Sequence, residues 1–113
     1  EKKKEKEKDN ESGFYKIGRY TLDAEHASLR NDETNEKKIL TVREAQILQL
    51  LAENKNETIK REAILSRFWN TEDDYFASRT LDVFIAKLRK LLEDDPLVLI
   101  KTIRGVGLML VDK

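Results

Sequence analysis

The sequence predicts an α+β fold: short antiparallel strands first, then three helices, then a closing β-hairpin, the order of a winged helix-turn-helix. Three observations predict it. Residues 14–40 break into strand-length apolar pieces separated by Gly18 and by polar residues 23–26 and 31–35, which is turn chemistry between half-buried strands. From Thr41 onward the apolar spacing becomes helical. After Pro96, two apolar runs flank Arg104-Gly105-Val106-Gly107, where glycines can take positive φ in a tight hairpin turn.

Composition narrows the function classes. At 113 residues with 39% apolar and 39% charged side chains, the chain suits one soluble domain with a modest core and an exposed tail. The absence of cysteine excludes a disulfide scaffold, a thiol nucleophile and a zinc finger. No apolar run approaches the roughly 18 residues of a membrane span, so a cytoplasmic location is expected and no membrane partner. The 22 basic and 22 acidic residues cancel, so distribution matters more than total charge. Acids crowd residues 23–36, 72–74 and 93–95, which leaves residues 79–90 and 101–104 locally basic. No nucleophile–base set, P-loop or HExxH motif is present, and no enzyme, metal or cofactor is expected. Beginning at Glu1 without a Met, the chain is expected to be a piece of a longer protein.

The elements follow in order. Residues 1–12 hold no large apolar side chain and set five Lys against five acids, so they read as a disordered charged linker, with the folded domain spanning 13–113. Phe14-Tyr15-Lys16-Ile17, Tyr20-Thr21-Leu22, Ala27-Ser28-Leu29 and Lys38-Ile39-Leu40 make a four-piece meander. His26 falls in one of its turns and reads as a surface residue, with no second ligand for a metal. Thr41, with Glu44 three residues on, has the capping-box spacing and starts the first helix, which runs to about Asn54. The second helix is expected over residues 60–69, with Thr58 as cap and Ile64, Leu65 and Phe68 inward. Residues 69–77 read as an acidic, aromatic connection.

The third helix, residues 78–92, is strongly amphipathic. Leu81, Phe84, Ile85, Leu88, Leu91 and Leu92 share one face; Arg79, Asp82, Val83, Ala86, Lys87 and Lys90 share the other, with Thr80 and Arg89 on the rims. Ser78 or the residue before it is the expected cap. Four cations stand against one acid in this helix, with Val83 and Ala86 among them. A purely solvated face would carry Glu, Lys or Gln at those two positions. Long cations around small apolar groups suit a helix in a DNA major groove: Arg and Lys reach phosphates and guanine edges, and Val or Ala can touch a thymine methyl. Taken alone, the segment fits a basic solvated face equally well. Asp82 can orient Arg79 or form a simple helical ion pair. Pro96 ends the helix region, and the hairpin that follows would be the wing, carrying Lys101, Thr102 and Arg104 toward the DNA backbone or minor groove.

In this order and spacing, Leu40-Thr41-Val42-Arg43-Glu44, Arg61-Glu62-Ala63-Ile64-Leu65 leading to Phe68-Trp69, residues 79–90, and Lys101-Thr102-Ile103-Arg104-Gly105-Val106-Gly107 resemble the effector domain of OmpR/PhoB-type response regulators over residues 15–111. The resemblance implies a four-stranded N-terminal sheet, three helices and a C-terminal β-hairpin wing. It implies transcriptional regulation by sequence-specific binding of double-stranded DNA, with residues 78–92 in the major groove and 101–107 at the minor groove. The contact set is then Trp69, Arg79, Thr80, Val83, Ala86, Lys87, Arg89, Lys90, Thr102 and Arg104. Trp69 offers its indole N–H to a phosphate or packs in the core with one edge exposed. The 70–77 loop, Asn70, Thr71, Glu72, Asp73, Asp74, Tyr75, Phe76 and Ala77, is implied to touch RNA polymerase. An N-terminal receiver domain, phosphorylated by a cognate sensor histidine kinase, lies outside this chain, and Asp73, Asp74 and Asp94 read as surface acids.

By the same resemblance the full protein is dimeric on direct-repeat half-sites; the isolated domain is expected to be monomeric and to bind weakly, because the cation set of residues 78–92 is short by one at Ala86 and interrupted by Asp82. The chain departs from the family pattern at four positions. Phe84 stands where His is frequent, Ala86 where a base is frequent, Leu91 where Lys is frequent, and Leu108 where Tyr is frequent. Leu108 is still expected to pack inward. The alternative left open is a winged-helix protein-interaction module that uses the 70–77 loop or the N-terminal sheet.

Overall fold

A computed structural model describes residues 13–69 and 74–112. The expected linker, residues 1–12, lies outside them. The chain divides into two compact units that meet in sequence between Glu53 and Asn54.

The first unit holds β1 (Phe14–Ile17), β2 (Tyr20–Asp23), β3 (Ser28–Asn31), β4 (Lys37–Ile39) and α1 (Val42–Glu53). The strands form one antiparallel meander in the order β1-β2-β3-β4. Alternation directs Tyr15, Ile17, Tyr20, Leu22 and Leu29 into the interior, as the period of a strand requires. Ala27 belongs to the turn rather than to the third strand: its φ of 50° lies in the left-handed region. His26 sits in the same turn, exposed, with its ring Nδ1 2.9 Å from Asp23 Oδ2. The capping box forms as its spacing predicts: the Glu44 N–H donates to Thr41 Oγ1 at 3.1 Å and the Thr41 N–H to Glu44 Oε1 at 2.9 Å. That reciprocal bonding is why a carboxylate as buried as Glu44 is tolerated. α1 packs on β1, and its Ala45, Ile47, Leu48, Leu51 and Ala52 are buried.

The second unit holds β5 (Ile59–Lys60), α2 (Arg61–Phe68), α3 (Asp74–Leu91), β6 (Val98–Ile103) and β7 (Gly107–Asp112). Its sheet has the order β5-β7-β6. α2 packs on α3 and on β7, and α3 packs on β6. The core is Ile64, Leu81, Ile85, Leu88, Leu92, Val98, Ile100, Leu108 and Leu110, each at most 5% exposed. Each such side chain contributes about 1.5–3 kcal/mol by leaving water. Leu108 packs inward as expected, at 2% exposure.

Four expectations need correction here. α3 begins at Asp74, so residues 74–77 are helix rather than loop and neither Ser78 nor Ala77 caps it. Ala77 and Leu81, four residues apart, are both buried, so the apolar face that docks the helix already runs through this first turn. α2 begins at Arg61 with Lys60 in extended conformation as its N-cap and no side-chain cap bond; Thr58 does not serve. Lys60, expected in the second helix, instead forms with Ile59 the strand β5, paired with β7 through Ile59↔Leu108 and Lys60↔Gly107. Finally, the two wing glycines differ in purpose. Gly105 takes a φ of 75° in the turn. Gly107 is in β7, where a Cβ would lie 1.9 Å from the Ile59 carbonyl oxygen, so its small size is what lets β5 approach.

Candidate nucleic-acid interface

The surface that gathers the predicted residues belongs to the second unit: α3, the end of α2 and the β6–β7 hairpin. α3 divides as its periodicity predicts. Leu81, Ile85 and Leu88 are buried, while Arg79, Thr80, Asp82, Val83, Ala86, Lys87, Arg89 and Lys90 are exposed. Val83 is 62% exposed, a large apolar side chain held in water among cations. Burial of Leu88 beside Lys87 and Arg89 fixes the backbone that presents them.

The helix is gripped near its start by Arg61 of α2. The Arg61 guanidinium donates from Nη2 to Ser78 Oγ and to the Ser78 carbonyl, both at 2.8 Å, and to Asp82 Oδ1 at 2.7 Å. Its Nε adds a bond to Ser78 Oγ at 3.2 Å. Asp82, the single acid among residues 78–92, therefore takes a partner from a different helix, where the spacing suggested Arg79. Four bonds from one side chain bind α2 to α3 and bring a positive charge against the Asp82 carboxylate. Sequence reasoning missed Arg61 and Ser78 as positioning residues, since nothing local marks which distant oxygens a guanidinium will reach.

Trp69 follows α2 as its C-cap, its backbone N–H donating to the Leu65 carbonyl at 2.8 Å. Its ring lies 5.9 Å from that of Phe84, tilted by 50°, and meets Phe68 edge-on at 6.5 Å. Both geometries are favourable for aromatic pairs. Trp69 is half-buried, and Phe84, the departure from the family's frequent His, supplies part of its packing.

The hairpin carries Lys101, Thr102 and Arg104, all exposed. Its turn closes through the Val106 N–H donating to the Ile103 carbonyl at 2.9 Å, and Val106 is 48% exposed at the tip. Besides the pairing of β7 with β5, hydrogen bonds from both sides hold it to the rest of the unit. On the β7 side, the Arg61 backbone N–H donates to the Val106 carbonyl at 3.1 Å. On the β6 side, Arg89 Nε donates to the Ile100 carbonyl and Nη2 to Thr102 Oγ1, both at 2.9 Å. The structure thus brings together Trp69 and the predicted residues of α3 and the wing. Of the expected polymerase loop, residues 70–73 lie outside the described residues, and residues 74–77 form the first turn of α3. Among the described residues no His, Cys, Asp and Glu cluster could hold a metal ion, and no helix is long and apolar enough to cross a membrane.

Comparison with known proteins places this geometry. The family model described as transcriptional regulatory protein, C terminal, matches residues 35–110. The transcriptional regulatory protein RprY of Bacteroides fragilis is 39% identical over 104 residues; the match covers 92% of this chain and 43% of that relative, so the chain spans less than half of its length. The response regulator DrrB of Thermotoga maritima, an OmpR/PhoB homolog, aligns with a TM-score of 0.71 at 35% identity, over 88% of this chain and 44% of its own. The DNA-binding domain of Klebsiella pneumoniae RstA, solved in complex with RstA box, shares the fold with a TM-score of 0.65 at 23% identity, over 87% of this chain and 96% of its own.

Proposed function

From the premise that this chain belongs to the family of transcriptional regulatory protein C-terminal domains, of OmpR/PhoB type, we propose that it binds double-stranded DNA sequence-specifically as the effector domain of a two-component response regulator. The observation that carries the reading is the exposed face of α3, where Arg79, Lys87 and Lys90 surround Val83 and Ala86 beside a wing that exposes Arg104.

α3 enters the major groove. Arg79 and Thr80, near the start of the helix, take phosphates. Val83, Ala86, Lys87 and Lys90 face base edges and groove walls. Arg104 of the wing reaches the flanking minor groove, and Trp69, half-buried against Phe84, meets the backbone with its exposed part. Arg89 and Thr102 lie in the same surface, joined to each other. The segment 70–76 is the part of the chain that meets RNA polymerase, with Ala77 after it buried. The domain acts in the cytoplasm. It is monomeric alone and pairs on direct-repeat half-sites when joined to a receiver domain that a sensor histidine kinase phosphorylates.

The test is a fluorescence-anisotropy titration against duplexes selected from a random pool. Lys87→Ala and Arg104→Ala should each weaken binding without unfolding the chain, and each should lower the slope of log K against log salt by about 0.9 if its contact is to phosphate. Unchanged affinity in both variants would overturn the reading. So would amide shifts on duplex titration that are confined to the N-terminal sheet, which would instead favour a protein-interaction module.

A further inference from the structure

Arg89 stands on the rim of the face assigned to DNA, but two of its nitrogens are committed within the protein, to the Ile100 carbonyl and to Thr102 Oγ1. Resting on the DNA-binding reading, we infer that Arg89 is a positioning residue, which fixes the wing at a set distance and angle from the reading face of α3.

Three features support this role. Among the described residues β6 is the outer strand of the β5-β7-β6 sheet, so its backbone on the outer edge takes donors from elsewhere than a strand. Arg89 supplies one. Its two acceptors, at Ile100 and Thr102, lie two residues apart on the same strand. A planar guanidinium that bonds both at fixed spacing therefore sets the slide of the strand along the helix as well as its tilt, which a single bond would leave free. Thr102 is also the last residue held this way before the turn, two positions from Arg104. Past it Gly105 has open space on its side-chain face, with nothing within 4 Å of a Cβ built there. On the opposite strand, β5 and the Arg61 N–H hold β7. The wing is thus clamped from both edges, and the clamp on the side of the reading helix is Arg89.

A consequence is that major-groove and minor-groove contacts are coupled. The helix can meet its bases only while Arg104 stands at one offset, so the clamp sets the spacing between the two contacts that a DNA site must satisfy. Arg89→Gln removes the fork and the charge, Arg89→Lys keeps the charge alone, and Thr102→Val removes one acceptor at nearly constant shape. Each 15N-labelled chain is measured twice: by backbone 15N relaxation at residues 101–106 without DNA, and by anisotropy with the selected duplex over a range of salt.

The expected result is that Arg89→Gln and Arg89→Lys both raise wing mobility and both weaken binding by about tenfold, with Thr102→Val between them and the unaltered chain. Arg104→Ala should cost much less in the Arg89→Gln background than alone, because the released wing has already lost its offset. Full rescue of affinity by Arg89→Lys would overturn the inference, as would unchanged relaxation in Arg89→Gln with strictly multiplicative losses; either would make Arg89 an independent phosphate contact. If the unaltered chain binds no duplex, the proposed function falls, while the relaxation data still decide whether Arg89 holds the wing.

Discussion

The two units handle charge in opposite ways. In the first, ionic side chains are answered by ionic side chains nearby: Lys16 and Arg30 with Asp32, and Arg19 with Glu33. In the second, Arg61 and Arg89 bond mainly to neutral oxygens of neighbouring elements, Arg61 to Ser78 and Arg89 to Ile100 and Thr102, and Arg61 also answers Asp82. The first pattern compensates charge locally and spreads its contribution over many weak exposed pairs. The second uses two cations as struts between elements, alongside the ion pair of Lys55 with Asp112. Single contacts therefore count for more in the second unit than in the first.

The most severe way to break this contrast is Gly107→Ala. Its Cβ would meet the Ile59 carbonyl oxygen at 1.9 Å and the Ile59 carbonyl carbon at 2.8 Å, and backbone rather than a flexible side chain must yield. A loss of about 3 kcal/mol or more is expected, read as a lower urea midpoint of tryptophan fluorescence, since Trp69 reports on this unit.

Arg61→Met comes next. It leaves Ser78 and Asp82 without their guanidinium and should cost about 2 kcal/mol by the same measurement. A smaller cost than that of the first-unit substitution that follows would undo the contrast.

That substitution is Asp32→Asn, with the smallest expected effect. Partial burial pushes the Asp32 carboxyl up, but hydrogen bonds from Lys16, Thr21 and Arg30, aided by the Lys16 charge, outweigh it and hold the group at about 2 against an ordinary 3.8. A depressed carboxylate contributes stability that is present above pH 4 and lost as the pH falls through about 2. At neutral pH the substitution should cost about 1 kcal/mol, since the site is partly screened by solvent. Its acid titration should be flatter than that of the unaltered chain between pH 4 and 2, followed by circular dichroism.

What the sequence showed and what it hid divide along the same line. The capping box of Thr41 and Glu44, the two faces of α3 and the hairpin around Gly105 were legible, because each is decided within a few residues of chain. The start of α3 at Asp74 was missed although a signal existed: acids at residues 72–74 read as loop chemistry, while acids at a helix N-terminus are equally favourable. β5 carried no signal, because two residues cannot display a strand period and Ile59 and Lys60 become a strand only through β7. The struts were illegible for a related reason. Arg61 and Arg89 are ordinary helix residues in sequence, and what distinguishes them is the oxygens that folding brings within reach. The same limit applies to Gly107, whose neighbour to Gly105 suggested a shared turn role.

The pairing of β5 with β7 bears on how the second unit assembles. Ile59 and Leu108 lie about fifty residues apart, so their contact closes nearly the whole unit into a loop, whereas the helices and the β6–β7 hairpin can form from neighbours alone. Non-local pairings of this kind carry the loop-closure entropy of folding and tend to slow it. The strand preceding α2 and the strand leaving the wing seal each other, so the unit has no end that can fray without opening the other. β5 becomes a strand only when β7, the last strand of the unit, has arrived.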